Sequence, residues 1–120
     1  MFVSLTYTVM KGTHLGELEE LILLAVAILF DDAYGIAIQN EISHRTNRSI
    51  TISTVHAALK RLEDKGFLNS RYDGATPERG GRRKHLFRVT AAGEKALKTS
   101  WNIRNSMWGA IPKLAFAHKS

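Results

Sequence analysis

The chain has 120 residues and no cysteine, with 44% hydrophobic and 23% charged residues, the proportions of one soluble globular domain. The missing cysteine excludes a disulfide scaffold, a thiolate zinc site, an iron–sulfur cluster and a cysteine nucleophile, and it fits a reducing cytoplasm. Net charge is +6, but one base (Lys11) and six acids (Glu17, Glu19, Glu20, Asp31, Asp32, Glu41) give residues 1–42 a charge of −5, while sixteen bases and five acids give residues 43–120 a charge of +11. A basic body behind an acidic leading segment points to a polyanion partner on one face.

Residues 1–9 are mildly apolar, lack a basic start and lack a small-residue cleavage site before Met10-Lys11, so they make a poor signal peptide. Residues 1–12 read as a flexible N-terminal extension, with Met10 an alternative start. The longest apolar run, Leu21 to Phe30, is ten residues, where a membrane span needs about 20. Apolar residues at 15, 18, 22, 25, 26 and 29 follow a helical period and predict a first, largely buried helix over Leu15 to Phe30. Its first turns carry Glu17, Glu19 and Glu20, where the helix dipole favours carboxylates. Asp31-Asp32 ends it.

Gly35 to about Thr46 predicts a second helix with Ile36, Ile38 and Ile42 as its apolar stripe, followed by a turn at Asn47-Arg48 and a short strand or extended link at Ser49-Ile50. Thr51 is a good N-cap for a third helix, which Gly66 stops. Val55, Ala58, Leu59 and Leu62 share one face of that helix. Ser53, His56, Ala57, Lys60 and Asp64 share the other. Phe67 to Tyr72 reads as a strand, the glycine- and proline-bearing stretch from Asp73 to Gly81 as a loop, and Lys84 to Val89 as the returning strand with His85, Phe87 and Val89 on one face. Thr90 caps a last helix running toward Pro112, and the end of the chain reads as a frayed tail.

The order helix, helix, helix, strand, loop, strand, helix defines a mainly α (α+β) fold: a winged helix-turn-helix with a β-hairpin wing and an added C-terminal helix. The third helix offers small and polar groups to base edges: Ser53, Thr54, His56 and Ala57 near its start, with Lys60 and Arg61 further along. Thr54 or Ala57 can meet a thymine methyl. An ordinary amphipathic helix with a solvated face would look the same, and the hairpin decides between the two. Arg71, Arg79, Arg82, Arg83, Lys84 and Arg88 stand against only Asp73 and Glu78, leaving residues 71–88 at +4. Arginines on a glycine-rich loop suit phosphate or a narrow minor groove. The five histidines (His14, His44, His56, His85, His118) show no metal-ligand spacing, and no nucleotide loop, nucleophile elbow or paired-carboxylate motif stands out, so neither an enzyme nor a cofactor is expected.

These segments resemble the PadR-type transcriptional regulators. The resemblance rests on Leu15-Gly16-Glu17-Leu18-Glu19, on Tyr34-Gly35-Ile36-Ala37-Ile38, on Leu59 to Leu68, and on Gly81-Arg82-Arg83-Lys84-His85-Leu86-Phe87-Arg88-Val89-Thr90 followed by Ala91-Ala92-Gly93. It covers roughly Leu15 to Trp108. It departs at Val55-His56-Ala57, where the family has a Leu-Tyr-Pro triplet whose tyrosine often contacts the DNA backbone, a role that passes to His56. It departs again at Leu86 and Phe87, where two other aromatics are usual.

The resemblance implies a cytoplasmic, homodimeric repressor on double-stranded DNA, with residues 13–90 as the DNA-binding domain, 91–112 as a dimerisation helix of the compact subgroup, and 113–120 as the tail. Arg79, Arg82, Arg83 and Lys84 supply the wing contacts. Leu97, Trp101, Arg104, Trp108 and Ile111 repeat at a coiled-coil-like spacing and form the expected dimer seam. The two tryptophans either fill that seam or line a pocket for a flat aromatic effector. The rival from another class is a winged-helix adaptor that binds protein through its acidic first helix and tryptophan seam, without DNA.

Overall fold

A computed structural model describes residues 15–74 and 83–118. Helix α1 (Glu17–Leu29) begins at Gly16, whose N–H donates to Glu19 Oε1 at 3.1 Å. It stops before the predicted Phe30, which has φ of +50° and starts a 3-10 turn, Phe30–Asp32. Helix α2 (Gly35–Thr46) ends on Asn47 in the left-handed conformation, one that asparagine tolerates. Helix α3 (Ile52–Asp64) starts at Thr51, whose side chain accepts from the Thr54 N–H at 3.2 Å. Gly66, with φ of +82°, turns the chain out of it.

Strands β1 (Leu68–Tyr72) and β2 (His85–Val89) pair antiparallel, from Leu68 opposite Val89 to Tyr72 opposite His85. Helix α4 (Ala91–Gly109) is capped by Thr90, which accepts from the Gly93 N–H at 3.0 Å, and a second 3-10 turn, Lys113–Phe116, lies in the segment assigned to the tail. The winged-helix order expected from the sequence is therefore the observed fold. Of the two alternatives at Ser49-Ile50, the segment is a link and not a strand, and its Ile50 carbonyl accepts from Gln39 Nε2 at 2.7 Å. The chain pairs with β2 elsewhere, at the link between α1 and α2. There Tyr34 bridges to Leu86, and the Phe87 N–H donates to the Ala33 carbonyl at 2.9 Å.

The core joins Ile22, Leu23 and Val26 of α1, Ile38 and Ile42 of α2, Val55, Ala58, Leu59 and Leu62 of α3, and Phe67, Leu68 and Phe87 of the hairpin. Ile36, assigned to the α2 stripe, is 52% exposed. It is the second residue of the helix and lies about 200° round from Ile38, on the opposite side and outside the three-helix contact. Helix α1 is likewise not buried all round, because Leu24 and Ile28 face outward. Leu86 and Phe87 are both buried although they point to opposite faces of β2. Helix α4 behaves differently from the other three. Leu97 packs against the core, but every residue from Trp101 to Ala110 is exposed.

Candidate nucleic-acid interface

Burial of Val55, Ala58, Leu59 and Leu62 fixes which side of α3 faces out, and that side carries Ser53, Thr54, His56, Ala57 and Lys60, all exposed. Two of these groups are tied into the cap. Thr51 Oγ1 shares hydrogen bonds with Ser53 Oγ at 3.2 Å and Thr54 Oγ1 at 2.8 Å. Each hydroxyl keeps spare hydrogen-bonding capacity, now in a fixed direction. Lys60 reaches Asp64 at 3.6 Å, an exposed pair that water and phosphate readily compete with.

His56 lies over the first turn of α2. A Cβ placed on Gly35 would come within 2.8 Å of His56 Cε1 and 3.5 Å of Ile52 Cδ1. A side chain at position 35 would therefore push the His56 imidazole aside, while its contact with Ile52 would be an ordinary van der Waals one. Sequence reasoning found both residues but not their contact.

Arg61 is placed differently from the other predicted α3 residues. Its Nε is 3.3 Å from Glu19 Oε2, and Lys65 Nζ is 2.9 Å from Glu19 Oε1. Glu19 is the buried charged residue of the described core. Burial pushes its carboxyl up. The hydrogen bonds from Lys65, the Gly16 N–H and Arg61, with the charge of Lys65, outweigh that and hold it below the usual carboxylate range. Glu19 thus clasps the C-terminal end of α3 to the start of α1, and Arg61 serves that clasp.

The wing is held in a similar way. Lys84 Nζ lies 3.6 Å from Asp32 Oδ1 and 4.3 Å from the centre of the Tyr34 ring. Arg88 pairs with Asp31 and sits 4.6 Å over the Phe30 ring. Arg83 is placed otherwise: its guanidinium carbon is 5.0 Å over the exposed ring of Tyr72. Arg79 and Arg82 lie outside the described residues, as does the expected N-terminal extension. Phe30, Asp31, Asp32, Tyr34 and Tyr72 were not among the residues singled out for this surface. Two adjacent acids directly after an apolar helix were the available signal, and the basic strand they face was not part of it.

The predicted seam on α4 divides. Leu97 packs on the chain's own core, and Arg104 pairs with Glu20 at 3.1 Å, beside a Ser100 hydroxyl that donates to Glu20 at 2.7 Å. Ile111 lies beyond the helix end. Trp101 (63%) and Trp108 (69%) remain exposed, and Ile103 and Met107, which the sequence reading did not name, are exposed with them. A cavity of about 750 Å³ opens between α4 and the start of α1, lined by Leu15, Phe67, Ala96, Ile103, Arg104 and Met107 among others. Neither tryptophan lines it.

Three packed helices, a paired hairpin and an outward-facing third helix define a DNA-binding winged helix of the transcriptional-regulator class. Residues 23–99 match the model of the transcriptional regulator PadR-like family. An uncharacterized protein from Lysinibacillus sphaericus is 39% identical over 84 residues, spanning 68% of this chain and 72% of that protein. The chain belongs to the PadR-like family. Among solved structures, a PadR family regulator from Eggerthella lenta superposes with a TM-score of 0.65 at 22% identity, covering 98% of this chain and 94% of that one. A transcriptional regulator from Clostridium thermocellum gives 0.60 at 26% identity, covering 88% and 99%. No described helix is long and apolar enough to cross a membrane.

Proposed function

We propose that the protein is a cytoplasmic homodimeric repressor that binds a pseudo-palindromic operator. The exposed polar edge of α3, set on a buried apolar face, carries this reading. Ser53, Thr54, His56, Ala57 and Lys60 face the major groove and supply discrimination, while Arg79, Arg82, Arg83 and Lys84 grip the backbone with little regard to sequence. Exposed Trp101, Ile103, Met107 and Trp108 support dimerisation through α4, because a lone helix does not keep so much apolar surface in water. A two-fold dimer then reads half-sites about one helical turn apart. An aromatic effector would stack on Trp101 or Trp108 at that interface, where two copies of α4 meet.

The test is a gel-shift titration against the DNA upstream of the protein's own coding region at several salt concentrations, with molar mass measured by light scattering. A dimer that shifts one inverted repeat in preference to mixed-sequence DNA supports the proposal. A dimer that binds no duplex even at low salt leaves the adaptor reading in its place.

A further inference from the structure

A column of rings runs from the core toward the loop end of the hairpin. Phe87 is buried, at 3% exposure. The His85 ring lies 4.5 Å from it, and Tyr72 stacks on His85 at 4.3 Å with only 16° between the planes. The Arg83 guanidinium carbon lies 5.0 Å over the Tyr72 ring. The arrangement follows from register. Tyr72 and His85 are directly paired across the strands, and Phe87 is two residues further along β2, on the same face. The Asp73 N–H donates to the Lys84 carbonyl at 2.8 Å and closes the hairpin just past this pair.

Arg83 also differs from its neighbours in what holds it. Lys84 and Arg88 face carboxylates, whereas Arg83 is held by a π face that neutralises none of its charge. An arginine held by a ring keeps its donors available for phosphate, and ordering it before contact reduces the rotamer freedom lost on binding.

We infer that Tyr72, backed by His85 and Phe87, is a positioning residue that presents Arg83 to the DNA backbone. The inference rests on the DNA-binding reading above. Because the contact is to the backbone, a labelled mixed-sequence duplex is a sufficient probe, read by fluorescence anisotropy across a salt series. Arg83→Ala should weaken binding and lower the salt slope by about 0.9 for the lost phosphate contact. Tyr72→Ala should weaken it about two- to five-fold, the size of an exposed cation–π contact, with the slope unchanged because the arginine is still present. Tyr72→Phe keeps the ring and should bind as the unmodified protein does. In the Arg83→Ala background, Tyr72→Ala should cost nothing further.

Losses that multiply independently, or a Tyr72→Phe protein as weak as Tyr72→Ala, would overturn the positioning role and leave DNA binding standing. An unmodified protein that binds no duplex at low salt would overturn both. Should Tyr72→Ala fail to fold, Tyr72→Leu, which keeps apolar volume but has no π face, takes its place: the same two- to five-fold loss is expected, and binding equal to the unmodified protein would overturn the positioning role.

Discussion

Replacing Glu19 with glutamine tests how the recognition helix is anchored. The change keeps the side-chain volume and one acceptor oxygen, and removes the charge that faces Lys65 at 2.9 Å and Arg61 at 3.3 Å. Breaking a fully buried ion pair costs about 3–5 kcal/mol, but this one is open on one side. Arg61 is 53% exposed and its share is screened, so the loss falls mainly on the bond to Lys65, 23% exposed, and on the Gly16 N–H. Hydrogen bonds to a charged group are worth about 1.5–3 kcal/mol, so a net loss of about 2 kcal/mol is expected, or about 9 °C in Tm for a domain of roughly 100 residues.

The pH dependence gives a second signature. The folded-state carboxyl is held below the usual carboxylate range, so its stabilisation is fully present at neutral pH. It is lost as pH falls through the lower folded-state value. Thermal unfolding of the two proteins should therefore show a constant gap near neutral pH that closes below about pH 4.5. A gap under about 2 °C at pH 7, or one that persists unchanged into acid, would refute the clasp.

Gly35→Ala should displace the His56 imidazole and shift operator preference in the same direction as His56→Ala, as measured by competitive gel shift. The double variant should match His56→Ala in binding, because the imidazole that a Cβ at position 35 displaces is then absent. Gly93→Ala would place a Cβ 2.3 Å from the Phe67 carbonyl oxygen, lifting the first turn of α4 off the hairpin base. It should cost about 1–3 kcal/mol in denaturant unfolding, and an unchanged midpoint would contradict the packing described. Asp31→Asn with Asp32→Asn should free Arg88 and Lys84, tightening binding to mixed-sequence duplex and steepening the salt slope by up to about two units. Trp101→Ala with Trp108→Ala should shift the molar mass measured by light scattering toward the monomer while Tm at high dilution changes little.

Features coded by local physics were legible in the sequence. The period of Val55, Ala58, Leu59 and Leu62 marked the buried side of α3, Thr51 marked its start and Gly66 its stop. The strand pair around the basic loop followed from alternation and turn residues. Partners across the fold were not legible, because no spacing encodes them. Arg61 projects from the outer half of α3 on a helical wheel, but its long side chain reaches Glu19, forty-two residues earlier in the chain. Asp31-Asp32 read as the end of a helix, and nothing local says that β2 passes beside it. Ile36 fits an apolar stripe by type but lies outside the contact that buries Ile38.

The charge asymmetry takes on a different meaning once these partners are placed. The six acids of residues 1–42 suggested an acidic leading surface beside a basic body. Each of the six instead meets a base from the second part of the chain: Glu17 with Arg48, Glu19 with Arg61 and Lys65, Glu20 with Arg104, Asp31 with Arg88, Asp32 with Lys84, and Glu41 with Arg45. The leading segment therefore acts as an internal counterion layer. Most of these pairs are exposed and add little to stability, but they decide which cations face outward uncompensated. On the hairpin, Arg71 and Arg83 have no carboxylate partner among the described residues. These two arginines keep their charge for a polyanion, as do Lys95 on α4 and Lys113 beyond it, and the hairpin pair sets the positive field beside the outer side of α3.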